Sequence, residues 1–505
     1  MRALISVYYK EGIQDLAKTL YELGYEIVST GGTAKLLTDM GIKVTKVEEL
    51  THFPEILDGR VKTLHPAIHG GILYRDWIKT DKEQINQLGI KPIDVVVVNL
   101  YPFEEKLRED LTEQEIMEFI DIGGSALIRA SAKNFYRVVV VCDPKDYLWV
   151  AQKLKDGTLN LQDRRYLAYK AFSLTAYYDA LISRSLGSIF EIEDLPDHFA
   201  LPLVLGSSLR YGENPHQKGW LLHNPMEQLG ITRSRVLQGK EMSFNNYLDA
   251  DSCAKLVSEL QRPACAIVKH GNPCGVAIGK DLMQAFEKAF QTDRESAFGG
   301  IVAFNDRVNK FLAERLADIF LEVIIAPEFT EDALEVFSKR KNLRVLQFLG
   351  YSYSFDIKKV SGGYLFQNED IIDYEDLKVV SKRYPTDSEF NDMLFAWKVC
   401  KYVKSNGVVI AKDGSTLGVG SGNVSRVDSL RCAIERASRY GFELKGSVLA
   451  SEAFFPFRDS IDLAHQAGIS AIIQPGGSIR DKEVIEAVNE YGMAMIFTRT
   501  RHFRH

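Results

Sequence analysis

Apolar residues in the first 150 positions follow two spacings that take turns. Short runs rich in valine and isoleucine at residues 3–7, 26–28, 43–47, 95–98 and 138–142 have the length of strands. Between the first two, Ile13, Leu16, Ala17, Leu20 and Leu23 recur at helical spacing. A helix is expected from Ala34 onward. The strand runs are apolar on both faces, and such runs alternating with helices predict an α/β fold with a parallel, doubly wound sheet. Residues 161–183 predict one long helix, with Tyr166, Tyr169, Phe172, Leu181 and Ile182 as packing positions. Residues 191–205 contain Pro196 and Pro202, lack a period and read as a linker. The expected domains are therefore 1–193 and 194–505.

The second half predicts helices over 247–260 and 281–290 and strands over 264–268, 301–304, 321–325 and 493–497. It also repeats itself weakly. Residues 264–290 run strand, glycine-rich turn, strand, helix. From residue 406 the same order returns, with two short strands around Asp413-Gly414 and a turn at Gly420-Ser421-Gly422. Two duplicated subdomains are the expectation.

Composition narrows the class. A chain of 505 residues exceeds one hydrophobic core, and 46% apolar with 26% charged residues is ordinary for a globular protein. The net charge of -6 gives no global attraction to nucleic acid or anionic membrane. The apolar runs are far too short to span a bilayer. The N-terminus enters a strand and then reaches Lys10 and Glu11, unlike a signal peptide. Six cysteines stand singly, without a C-x-x-C pair, so neither disulfides nor a structural zinc site is indicated. These features predict a cytoplasmic enzyme.

Candidate chemistry sits at strand ends, where doubly wound sheets bind ligands. Thr30-Gly31-Gly32-Thr33 can turn its amides toward a phosphate. Gly59-Arg60-Val61-Lys62-Thr63-Leu64-His65-Pro66 combines two cations, a hydroxyl and an imidazole. Asn99 and Tyr101 end another strand. Asp121-Ile122-Gly123-Gly124-Ser125 opens a helix whose Ser125, Arg129 and Lys133 share one face. Cations gathered in one pocket disfavour each other's charge, so one lysine there is expected to act as a base.

In the second half, Lys269 and His270 end a strand before a turn of Gly271, Asn272, Pro273 and Gly275. The imidazole can take a proton near neutral pH, and the ammonium can hold a developing oxyanion. Arg210 and Tyr211 lie in a polar stretch. Phe454-Phe455-Pro456-Phe457-Arg458-Asp459 suggests an aromatic wall for a flat ligand, closed by a carboxylate. The tail carries Arg499, Arg501 and Arg504, and Phe503 argues for its being ordered.

Together these motifs resemble, over essentially the whole chain, the bifunctional purine-biosynthesis proteins that join AICAR transformylase to IMP cyclohydrolase. The resemblance rests on residues 29–35, 59–66, 99–103, 121–134, 209–217, 268–275, 296–303, 451–459 and 501–505. It implies a methylglyoxal-synthase-like N-terminal domain and a cytidine-deaminase-like C-terminal domain. The deaminase zinc signature is absent and neither reaction needs a metal. By resemblance the C-terminal domain moves a formyl group from the cosubstrate 10-formyltetrahydrofolate to the 5-amine of AICAR. His270 would be the base, Lys269 would stabilise the formyl oxygen, and Asn406 would hold the reacting groups. Arg210, Tyr211, Gly299, Asn423, Ser425, Arg426, Phe454, Asp459 and Arg501 would contact substrates. The N-terminal domain would close formyl-AICAR to IMP with loss of water. There Lys133 would assist proton transfer, with Tyr101 and Asp121 nearby. Thr30, Gly31, Gly32, Thr33, Arg60, Lys62, Thr63, Asn99, Ile122, Gly123 and Gly124 would form the nucleotide pocket.

A homodimer with the transferase site at the subunit interface is also implied, as are small-molecule partners only. Two departures from the family pattern stand out. Tyr8-Tyr9-Lys10 replaces a Ser-Asp-Lys-like turn, and Asn423 replaces a glutamine. The rival reading is a regulatory binder of phosphorylated nucleotides without catalysis, since methylglyoxal-synthase-like domains include sensors. Lys62, Lys133, Tyr101 and Asp121 argue against it, because a sensor needs no proton-transfer set.

Overall fold

The structure is a computed structural model that describes residues 1–505. Contacts divide the chain into two compact units, Met1–Val204 with Asn224–Met226, and Leu205–His223 with Glu227–His505. No helix or strand lies between Ile189 and Val204.

The first unit is built on five parallel strands: β1 (Arg2–Ser6), β2 (Glu26–Ser29), β3 (Val44–Lys46), β4 (Val95–Val98) and β5 (Val139–Val141). Their order is β3-β2-β1-β4-β5. β1 pairs with β2 on one side and β4 on the other, so the order reverses at β1. A crevice opens beyond the carboxyl ends of strands at such a switch point. All four valines of β4 are buried, as a strand covered on both faces requires.

Two helices differ from the sequence expectation. The helix expected from Ala34 begins earlier, as Gly31–Asp39, because Thr30 keeps an extended backbone and acts as its N-cap. The long helix runs Leu161–Ile189, and its Tyr166, Tyr169 and Phe172 are exposed. Its packing face is Leu167, Ala168, Ala171, Thr175, Tyr178 and Leu181. Aromatic residues three apart drift off the stripe that the neighbouring i, i+4 positions bury. Tyr178 has a further use: its hydroxyl donates to the Phe119 carbonyl (2.9 Å) and accepts from the Asp121 amide (2.9 Å).

The second unit holds a twelve-stranded sheet. Its order is Lys378–Val379, Ala494–Phe497, Ala471–Gln474, Val448–Ser451, Val408–Lys412, Ser415–Gly420, Asn272–Ile278, Ala264–Lys269, Ile301–Phe304, Val323–Ala326, Arg344–Gln347, Arg235–Gln238. The duplication is plain in this order. Each half has a helix, an antiparallel hairpin, and then three rounds of helix and strand. The leading helices are Phe244–Ser258 and Asp387–Cys400, each opened by a capping box, from Ser243 with Asn246 and from Thr386 with Glu389. The hairpins are Ala264–Lys269 with Asn272–Ile278, and Val408–Lys412 with Ser415–Gly420, and they meet at Ala277 and Ser415 in the sheet centre.

Candidate active sites

The three N-terminal motifs converge on one pocket of about 640 Å3 at the switch point. Of the N-terminal residues given site roles by the resemblance, all but Lys133 line it; His65, Ser125 and Arg129 of the same motifs do not. Lys133 ends the helix Ile122–Lys133, exposed, twelve residues from Asp121 and so roughly 18 Å along the axis. Helices Gly31–Asp39 and Ile122–Lys133 both direct their N-termini into the pocket, which favours an anion twice over. Asp121 caps the second helix and accepts from the Gly124 amide at 2.6 Å. A Cβ on Gly124 would lie 2.5 Å from the Asp121 carboxylate, so only glycine lets the carboxyl sit there.

Burial raises the Asp121 carboxyl above the usual range, against the amides of Gly124 and Tyr101 and the Lys62 charge. Burial of this kind favours the protonated carboxyl more than an exposed site would. The cations behave differently from the expectation of mutual repulsion. Lys62 pairs with Glu55 at 3.1 Å and Arg60 pairs with Glu118, so each positive charge is offset locally. The lysine held below its ordinary range is Lys10, and burial is the cause. Its ammonium donates to Thr33 Oγ1 at 3.0 Å and to the Val7 carbonyl.

Lys10, Tyr8 and Ser6 line the pocket and were not singled out as site residues from the sequence. The signal was available, since they follow the central strand at its carboxyl end. Asn99 lines the pocket and also braces its rim. Its Oδ1 accepts from the Tyr8 and Tyr9 amides (2.5 and 3.1 Å) and its Nδ2 donates to the Tyr9 carbonyl (3.2 Å). It therefore shapes the Tyr8-Tyr9-Lys10 loop, and its amide is already engaged.

In the second unit, Lys269 and His270 sit at the tip of a hairpin. The turn residues are His270 and Gly271, both left-handed, at φ 56° and 72°. Asn272, Pro273 and Gly275 belong to the return strand and do not form the turn that the sequence suggested. Two positive φ values are what a two-residue hairpin turn demands. Lys269 Nζ donates to the Phe298 carbonyl at 2.7 Å. Gly299, next to it, donates its amide to the Phe320 carbonyl at 2.7 Å, so Gly299 acts through its backbone.

Asn406 is brought toward this turn by the chain around it. The Lys404 amide donates to Asn272 Oδ1 at 3.0 Å, tying residue 404 to the return strand. Asn406 itself is fixed from all sides. Its Oδ1 accepts from Arg426 (2.9 Å), its Nδ2 donates to the Asn423 carbonyl (2.9 Å), and its carbonyl accepts from Ser429 Oγ (2.7 Å). Arg426, expected to contact substrate, is drawn into this network. Only 7% exposed, it forms an ion pair with Glu452, which is 0% exposed, and also donates to Ser451 Oγ at 2.8 Å. Arg426 orients Asn406, and its guanidinium is engaged by Glu452, Ser451 and Asn406. Ser425 is likewise a helix cap, accepting from the Asp428 amide at 3.2 Å. Asn423 donates to the Ser421 carbonyl and to Ser429 Oγ, both at 3.3 Å.

The tail joins the same network. His502, 1% exposed, bonds through Nδ1 to Asp370 (2.6 Å), reaches the Asp373 carbonyl through Nε2 (3.1 Å) and packs on Trp397. The Ser405 amide donates to the Arg504 carbonyl at 2.9 Å. The residue that anchors the tail is therefore His502; Phe503 is 45% exposed. Arg501 is exposed beside the Phe503 ring. The aromatic wall expected at residues 454–457 is only partial. Phe455 is buried in the core, whereas Phe454 and Phe457 are exposed. Asp459, exposed, begins the next helix.

Arg210 and Tyr211 line a separate pocket of about 1020 Å3 together with Lys240, Lys339, Arg340 and Lys341. Phe320 forms part of its wall and lies 5.0 Å from Phe298, the residue whose carbonyl holds Lys269. Nothing in the local sequence around Lys240 or residues 339–341 marked them, because only the fold brings them to Arg210.

The two units each hold a pocket lined by cations, an arrangement that suits an enzyme acting on anionic substrates in two places. A model of the AICARFT/IMPCHase bienzyme family matches residues 131–436, and a model of the MGS-like domain matches residues 12–126. The bifunctional purine biosynthesis protein PurH of Aquifex aeolicus is 64% identical over all of both chains. Proteins of the same name from Persephonella marina and Bacillus subtilis are 51% and 48% identical over all of this chain and 99% of theirs. The solved structure titled "Crystal structure of ForH" is 36% identical, covering 37% of this chain and 97% of that one at a TM-score of 0.35.

The chain belongs to the AICARFT/IMPCHase bienzyme family. It is a bifunctional enzyme of purine biosynthesis, an AICAR formyltransferase and IMP cyclohydrolase that carries the last two steps of IMP synthesis. The alternative of a regulatory binder without catalysis finds no support in these relatives.

Proposed function

We propose that ring closure occurs in the pocket of the first unit and formyl transfer at the Lys269–His270 turn of the second. The observation that carries this division is the raised Asp121 carboxyl between two helix N-termini, in a unit with its own complete pocket. In closure the carboxamide nitrogen of formyl-AICAR attacks the formyl carbon. The carboxamide nitrogen gives up a proton and the formyl oxygen takes one to become a hydroxyl; that hydroxyl takes a second and leaves as water while the 5-nitrogen loses its proton and the ring C=N bond forms. Asp121 suits this exchange because it lines the pocket and burial favours its protonated form more than water would. The helix N-termini with Lys10 and Lys62 would hold the substrate phosphate.

In transfer the AICAR amine attacks the formyl carbon of 10-formyltetrahydrofolate while His270 takes the amine proton. Lys269 offsets the charge on the formyl oxygen, and as the intermediate collapses the C–N10 bond breaks and His270 passes its proton to N10, so that tetrahydrofolate leaves. Asn406 orients the reacting groups. The enzyme acts as a cytoplasmic homodimer on small molecules alone. Arg210 lines the basic pocket, and Arg501 is the tail residue that would meet the AICAR phosphate. No helix is long and apolar enough to cross a membrane.

The test uses the full chain. His270→Ala should abolish formyl transfer and leave conversion of supplied formyl-AICAR to IMP intact. Asp121→Ala should do the reverse. Loss of both reactions in either folded variant refutes the division.

A further inference from the structure

The His270–Gly271 turn has a twin. In the second repeat the same place is taken by Asp413 and Gly414, at φ 52° and 65°. Each turn is held by a carboxylate on the leading helix of its own repeat. Asp249 accepts from the His270 amide at 2.9 Å and from the Gly271 amide at 2.6 Å. Asp392 accepts from the Asp413 amide at 2.9 Å and from the Gly414 amide at 2.7 Å. Asp249 and Asp392 occupy matching positions, six residues after the cap residues Ser243 and Thr386.

The twins differ in how well the local sequence suits the turn. Asp-Gly is among the preferred pairs for two consecutive left-handed residues, and Asp413-Gly414 supplies it. His270 stands where its twin has the favoured aspartate. Histidine does occur at positive φ more often than most side chains, but Asp-Gly is the pair that the turn itself prefers. Asp249 supplies a tertiary hold here, since its two oxygens take both turn amides.

We propose that Asp249 is a positioning residue for formyl transfer: its carboxylate clamps the His270–Gly271 turn so that the imidazole is presented to the reacting amine. The proposal rests on His270 being the base. The clamp itself is a property of the fold, because Asp392 makes it where no imidazole is present. What is particular to the first repeat is that the clamped residue does chemistry, and misplacement of a reacting group by about 1 Å can cost on the order of a hundredfold in rate.

The duplication supplies an internal control. Asp249→Asn keeps one acceptor oxygen and turns an N–H against the second amide; Asp392→Asn does the same to the twin. Both are compared with the parent and with His270→Ala in formyl transfer, in closure of supplied formyl-AICAR, and in thermal melts. Asp249→Asn is expected to lower the kcat of transfer ten- to hundredfold with the KM for AICAR within about threefold and closure unchanged. Asp392→Asn is expected to shift the melt comparably while transfer stays within about twofold. Asp249→Glu, which restores the charge one methylene away, should recover part of the rate and carries the same test should the asparagine variant fail to fold. Equal transfer rates in the Asp249 and Asp392 variants overturn the proposal. Normal transfer in His270→Ala overturns instead the assignment of the base, and the two failures are thereby told apart.

Discussion

Arg426→Ala separates the two roles that this arginine could have. The sequence resemblance makes it a substrate contact; the structure makes it the partner of a fully buried glutamate and the donor that orients Asn406. Removing the guanidinium leaves Glu452 charged in the interior with only Ser405 Oγ (2.9 Å) and its neighbouring Ala453 amide (3.0 Å) as donors. Breaking a buried pair from one side costs about 3–5 kcal/mol. In a unit of this size that corresponds to a fall in Tm on the order of 5–15 °C. Asn406 Oδ1 also loses its donor, so the kcat of formyl transfer should drop while closure, carried by the other unit, persists below the new Tm. Arg426→Lys keeps the charge but cannot bridge Glu452, Ser451 and Asn406 together, so it should recover stability more than rate. The assays are calorimetry and the two reactions measured separately. A variant that melts within about 1 kcal/mol of the parent, with kcat intact and a raised KM, would refute the reasoning and return Arg426 to the ligand-binding set.

Three further outcomes are expected. Asp121→Asn should slow closure by a factor of about 10² to 10⁴ and yet raise Tm at neutral pH. Burial raises this carboxyl, so its ionisation costs folding free energy above its folded pKa; the gain in the asparagine variant should disappear on acidification below the ordinary carboxylate range, and a Tm difference independent of pH would contradict it. Lys62→Ala should impair closure more than Lys133→Ala, because Lys62 lines the pocket and Lys133 does not; steady-state rates on formyl-AICAR decide, and the reverse order would put Lys133 in the reaction. In the tail, Arg501→Ala should raise the KM for AICAR roughly tenfold with Tm unchanged, whereas His502→Ala should lower Tm, as its ring is buried against Trp397 and bonded to Asp370. Identical melts for the two variants would contradict the tail anchor described above.

Much of the architecture was legible in the chain. The four valines of β4, the alternation of strand runs with helical spacing, and the glycine-rich turns after the strands follow from local periodicity and backbone preference, so the parallel sheet and its strand-end pocket could be read directly. The duplication was visible as a repeated order of elements, and the paired capping boxes are local contacts three residues apart; its firmest marks, the Asp249 and Asp392 clamps, join residues about twenty apart. What local sequence could not decide was which polar side chains remain available to a ligand. Asn99, Arg426 and His502 are polar residues in functional-looking stretches, and each is engaged by partners distant in sequence: Asn99 by Tyr8 and Tyr9, Arg426 by Glu452, His502 by Asp370. A buried polar group must find a partner, and tertiary packing chooses it. The same reason explains Lys10 and Asp121. Their residue types were in view, but the shift in their proton affinity comes from burial, a property that the sequence lacks until the chain closes around them.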